Sequence, residues 1–315
     1  MRTGKLFFVA LIVTLLLAAG LGQAATPGII VADASNHRIV QMNDMAGAGW
    51  ATFGTRGSGV NQFIWPRAVF VDAQGRIYVV DQDNHRIVRM DDMTGAGWVT
   101  FGALGTGDNQ FRSPRAVFVD AIGRIYVADL GNHRIVRMDD MTGAGWVTFG
   151  ARGSGVNQFA WPRQVFVDAA GQIYVVDQGN HRIVRIADMT GAGWTTFGRW
   201  GSGENQFLSP NSLALDSLGR IYVADASNRR IVRIDDMTGA GWTTFGTRGS
   251  GAGQFAWPSA VIIDGRDLIY VVDSDNHRVV RINDIAGAGW VALGTRGSGN
   301  LELTLPQAAS VQLGR

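Results

Sequence analysis

The chain has 315 residues, of which 46% are hydrophobic and only 17% charged, a balance that supplies a large core and excludes an intrinsically disordered chain. The sequence pI near 9.3 suggests a basic protein, yet setting aside residues 1–24 removes Arg2 and Lys5 and leaves 26 arginines against 26 acidic residues. A neutral surface lacks the footprint of nucleic-acid binding, and the absence of cysteine excludes disulfide staples, thiol nucleophiles and an acylated cysteine anchor.

The first element is a targeting segment. Arg2 and Lys5 precede an apolar run from Leu6 to Leu21, and small residues follow around Gln23-Ala24-Ala25, the order found in a signal peptide cleaved near Ala24. The sixteen residues of that run fall short of the roughly 18–20 that a spanning helix needs, which argues against a retained anchor. Residues 1–24 are assigned to a signal peptide and 25–315 to one folded domain. The mature protein is expected to be secreted or periplasmic, without membrane attachment after cleavage.

Three short segments rich in β-branched and aromatic residues come next: Gly28 to Ala32, Arg38 to Met42 and Trp50 to Phe53. From Pro66 onward the pattern has four such segments, which read as strands. Ala68 to Val71 is followed by the tight-turn sequence Asp72-Ala73-Gln74-Gly75. Ile77 to Val80 leads into a second turn, Asp81-Gln82-Asp83-Asn84. Arg86 to Met90 and Trp98 to Phe101 complete the unit, and a glycine-rich link, Gly102 to Ser113, leads to the next.

The unit repeats. Trp50, Trp98, Trp146, Trp194, Trp242 and Trp290 stand 48 residues apart, and the same step relates Pro66, Pro114, Pro162, Pro210, Pro258 and Pro306. Four-stranded sheets repeated at this spacing stack radially into a β-propeller, leaving only short protected edges. The N-terminal copy lacks its first strand, whereas Pro306 and Ala308 to Val311 supply one at the other end. The predicted fold is therefore all-β: a six-bladed propeller of four-stranded antiparallel blades, closed by pairing the C-terminal strand with the N-terminal three.

The turn before each third strand reads Asp33-Ala34-Ser35-Asn36-His37-Arg38-Ile39, then Asp81 to Ile87, Asp129 to Ile135, Asp177 to Ile183, Asp225 to Ile231 and Asp273 to Val279, with Gln-Phe-x-x-Pro and Asp-x-x-Gly-x-Ile-Tyr-Val elements upstream of most copies. In these motifs the chain resembles the NHL-repeat family over nearly all of its mature length. The resemblance implies a propeller and leaves function open, since similar propellers bind proteins, bind RNA or act as lyases.

Beyond residue 24 there is no lysine, and the only glutamates are Glu204 and Glu302, so Schiff-base chemistry is excluded and acid–base work would fall to Asp or His. His37, His85, His133, His181 and His277, with Arg229 in the sixth copy, occupy the repeated turn. Equivalent positions on sheets about 10 Å apart cannot share one metal ion, so these are read as structural turn residues. Similar lyases place zinc-binding histidines along the channel, and the first strands here carry none. The links such as Gly54 to Gly59 are followed by a strand rather than the helix N-terminus of a phosphate loop, and Asp91-Asp92 lacks the alternating oxygen ligands of a calcium loop. No metal and no cofactor are expected.

Recognition can reside where the copies differ. After each proline the residues are Arg67, Arg115, Arg163, Asn211, Ser259 and Gln307: three successive arginines, then three neutral polar groups. At the start of the innermost strand they would border one channel mouth, as a basic crescent suited to carboxylate or phosphate or as side chains paired with neighbouring aspartates. Trp65, Trp161 and Trp257 precede proline in alternate copies, in phase with Val80, Val176 and Val272, either for packing volume or as an aromatic collar at the same mouth. These nine residues are the candidate ligand site of a monomeric, non-enzymatic exported module that binds a peptide, protein or glycan. A metal-dependent lyase or hydrolase and a sugar-binding lectin are the alternatives.

Overall fold

A computed structural model describes residues 28–312; the assigned signal segment lies outside the described residues. Within them there is no α-helix, and no helix long and apolar enough to cross a membrane. Six four-stranded antiparallel sheets form the blades of a propeller. Each is named here by the proline that opens its innermost strand. In the Pro66 blade the strands are Pro66–Val71, Ile77–Asp81, Arg86–Met90 and Val99–Phe101, each within two residues of the sequence reading.

The ring closes as the strand count requires. The last strand, Pro306–Gln312, lies antiparallel to Gly28–Asp33, with Ile29 opposite Val311 and Val31 opposite Ala309. Arg38–Met42 and Ala51–Phe53 complete this Pro306 blade.

Both faces of every blade are covered by neighbours, so the core is not central. It is distributed into six clusters, one per seam between blades. Second strands such as Ile77–Asp81 are buried at every position, the continuous apolar pattern of a strand covered on both sides. At the outer end of five seams three aromatic rings meet, for example Phe101, Phe111 and Trp146, with centroids 5.5–6.1 Å apart. The closing seam uses Leu293, Leu303 and Trp50 instead.

The repeated Asp-x-x-Asn-His-Arg turn pins each blade to the link that enters it. Its three middle residues form a 3-10 turn, as at Gln82–Asn84. Asp81, fully buried, accepts bonds from the Ile64 amide, Asn84 Nδ2 and Arg86 Nε at 2.7–2.8 Å. Arg86 donates onward to the carbonyls of Ser58, Gly59 and Gln62 in the link. The histidine caps the turn in the left-handed region, at φ 54° for His85.

That histidine reaches the next blade. His37, His85, His133, His181 and His277 each accept, on Nδ1, the amide hydrogen of the residue before the following proline, at 3.1–3.2 Å. The five residues so held, Trp65, Ser113, Trp161, Ser209 and Leu305, all have φ between 49° and 59°. In the sixth copy Arg229 offers no acceptor. Trp257 there is outside the left-handed set, and its amide bonds to Asp273 at 3.0 Å.

The links contain a feature absent from the sequence reading. Two-residue parallel pairs, such as Thr55–Arg56 with Gln62–Phe63, brace four of them, and isolated bridges brace the other two.

Candidate functional site

The six innermost strands surround a channel enclosing a cavity of about 330 Å³. The residue after each proline reaches it for a backbone reason. Pro66 pairs with Asp81 and Ala68 with Val80, so Arg67 is an extra residue between consecutive pairs. Such a bulge leaves its residue outside the ladder and re-aims its side chain. The same irregularity recurs after Pro114, Pro162, Pro210 and Pro258, and at Pro306 in the closing strand. Arg67, Arg115, Arg163, Asn211, Ser259 and Gln307 accordingly all line the cavity at the end where the inner strands begin.

The three arginines are bonded to amides, not to aspartates. Gln82 Oε1 accepts from Arg67 Nε at 2.6 Å and from Arg115 Nη1 at 3.2 Å. Arg115 Nη2 reaches Gln307 Oε1, two blades away, at 3.2 Å. Arg163 Nε donates to Gln178 Oε1 at 2.8 Å, and Gln178 Nε2 donates to Asn211 Oδ1 at 2.6 Å. Asn211 is 5% exposed and its Nδ2 has no partner.

This leaves cationic charge without a bonded counter-charge. Burial, followed by the repulsion of Arg163, pushes Arg67 down to about 9. Burial pushes Arg163 down to about 10, and burial with both neighbouring guanidiniums pushes Arg115 well below its usual range. Guanidinium groups stay protonated in proteins, so the crescent is charged at neutral pH. The exposed Asp83 is the acid that favours the Arg67 charge, through space and with no hydrogen bond.

Deeper in the channel the same three blades present Phe70, Phe118 and Phe166, with successive ring centroids 5.0 Å apart. The equivalent residues opposite are Ala214, Ile262 and Ser310. The oxygens of polar side chains at and just above this depth accept backbone amides of neighbouring strands. Gln164 Oε1 accepts the Leu213 amide, Ser212 Oγ accepts the Val261 amide at 3.1 Å, and Ser310 Oγ accepts the Val71 amide at 3.2 Å. Among the described residues no three His, Asp or Glu side chains gather as metal ligands, and the arginines are the only titratable groups on the cavity wall.

The tryptophans are placed differently. Trp65 lies beneath the Arg67 guanidinium, 5.0 Å from its carbon, and edge-on to His37. Trp161 is 53% exposed and Trp257 partly buried. None of the three lines the cavity. Sequence reading missed the acceptors Gln82 and Gln178 and the phenylalanine ladder. The signal was present: Phe70, Phe118 and Phe166 occur in the same three copies as the arginines, and Gln82 and Gln178 lie 96 residues apart.

The NHL-repeat family model matches residues 207–234, which span the first three strands of the Pro210 blade. No curated protein matches the sequence. Among solved structures, a chain from a nidogen–laminin complex superposes with a TM-score of 0.68 at 16% identity, covering 92% of this chain and 99% of that one. A Bacteroides caccae protein of unknown function gives 0.65 at 13% identity, covering 91% and 99%. A streptogramin B lyase gives 0.59 at 13% identity, covering 91% and 87%. At these identities the likeness is one of fold.

Proposed function

We propose that this ring of NHL repeats is an exported, non-enzymatic binding module that recognises an anionic group of an extracellular or periplasmic peptide, protein or glycan at the proline-bordered mouth of its channel. The observation that carries this reading is the convergence of Arg67, Arg115 and Arg163 without a carboxylate bonded to any of them. Burying unpaired cations is costly, and forked guanidinium donors fit the oxygens of a carboxylate or phosphate. Serines on the wall have no adjacent histidine or carboxylate to activate them, which favours binding over nucleophilic catalysis. The exposed Trp161 adds an amphipathic ring outside the cavity, suited to a partner larger than the channel.

The test is affinity capture from periplasmic extract and culture medium with the wild type and with a variant carrying Arg67→Ser, Arg115→Ser and Arg163→Ser. Partners retained by the wild type are expected to be lost from the variant. Equal recovery by both proteins defeats the proposal.

A further inference from the structure

The arginines and phenylalanines occupy the same half of the ring. Arg67 and Phe70 share one strand, as do Arg115 with Phe118 and Arg163 with Phe166. Three residues of extended chain separate the two levels by about 10 Å along the channel. A wall that is cationic at its rim and aromatic below fits a ligand with one charged end and an apolar body.

The remaining donors and acceptors narrow the class. At the rim the unmet demand is for an acceptor: Asn211 Nδ2 is buried without a partner beside three cations whose acceptors are neutral amides. Below the rim the side-chain oxygens of Gln164, Ser212 and Ser310 already accept backbone amides, so the donating hydroxyls of a sugar would meet few free acceptors there, while Gln164 Nε2 stays open as a donor. The cavity, about 330 Å³, lies at the lower end of the roughly 300–1,000 Å³ of ligand pockets. A folded domain cannot enter it.

We infer that the channel itself binds a carboxylic acid end-on, with the carboxylate among Arg67, Arg115, Arg163 and Asn211 Nδ2 and an apolar body against Phe70, Phe118 and Phe166. This rests on the reading of the mouth as an anion-recognition site and adds the depth and chemistry of the ligand. The carboxylate belongs to a free aromatic or branched organic acid or to the C-terminus of a peptide with an apolar last residue.

Isothermal titration of the purified chain distinguishes the sources and tests the inference. The probes are 3-phenylpropanoate and its amide, acetyl-glycyl-phenylalanine as free acid and as C-terminal amide, and inorganic phosphate. At least one acid is expected to bind at least about tenfold more tightly than its amide, a difference of about 1.4 kcal/mol. Arg115→Gln, or Arg163→Gln should the first variant melt early, is expected to abolish that preference. Phe118→Ala is expected to weaken the acid about fivefold or more while keeping its preference over the amide, as loss of aromatic contact implies. Tighter binding of the peptide acid assigns the ligand to a chain terminus, and tighter binding of phenylpropanoate assigns it to a free acid. Equal binding of acid and amide, phosphate binding as tight as either acid, or no acid binding up to about 10 mM overturns the inference. If that occurs while the triple serine variant still loses its captured partner, the rim reading stands and the channel reading alone falls.

Discussion

Two sets of arginines with opposite physical status occur in the same blades, as Arg67 and Arg86 do in the Pro66 blade. Arg86 and its equivalents are structural: Arg86 is bonded to the buried Asp81 at 2.8 Å, and its remaining donors meet link carbonyls. Removing one member of such a pair strands a buried charge at a cost of about 3–5 kcal/mol. Arg115 is surrounded by neutral acceptors and two like charges, so its removal relieves repulsion. Arg86→Met is therefore expected to lower the melting temperature by several degrees, and Arg115→Met to leave it unchanged or raise it. Calorimetric melts of the two variants decide this; equal losses would mean that the crescent is part of the scaffold. The post-proline side chains were legible in the sequence because they vary while their neighbours repeat. Their amide partners were less legible, because Gln82 and Gln178 lie in a turn that otherwise appears purely structural.

At the scale of the element, the histidine turn joins blade to blade through an unprotonated Nδ1. Burial pushes His37, His133, His181 and His277 below the usual histidine range. An unfolded chain protonates these rings near about 6.5, whereas the folded chain does so only at lower pH. Their contribution to stability is therefore complete above about 6.5 and is lost as pH falls through the folded values. The melting temperature is expected to drop by a few degrees between about pH 7.5 and 5.5. Replacing the four histidines by asparagine, which tolerates the left-handed backbone, should flatten that slope. A curve that is level or rises on acidification in the unaltered protein would refute the account. Strand limits were readable from residue type to within two positions. The repeated turn could be read as structural, with bonds within or between blades, but its left-handed cap and the identity of the partner 28 positions away could not. The tryptophan pattern was visible too, but the left-handed backbone of Trp65 and Trp161 sets where their rings go, and period alone does not.

For the whole molecule, closure depends on one strand. Pro306–Gln312 pairs with Gly28–Asp33 and packs its side chains into the closing seam. Its loss would expose the edge of the N-terminal strand and uncover both adjoining cores, conditions that favour pairing between chains. A protein ending at Leu305 is expected to melt far below the full chain and to form oligomers on size-exclusion chromatography. A truncated chain that remains monomeric with an unaltered melt would show that closure contributes little. The ring was the most legible feature of the sequence, because a missing first strand at one end and a surplus one at the other admit few arrangements.

The bulge after each proline has a consequence for how such a protein diverges. Its side chain belongs to no rung of the sheet, so exchanging one of these six residues alters what the lumen meets while every ladder keeps its pairing. The chemistry of the lumen can drift one blade at a time, by single codons, while the strand pairing of every blade stays as it is.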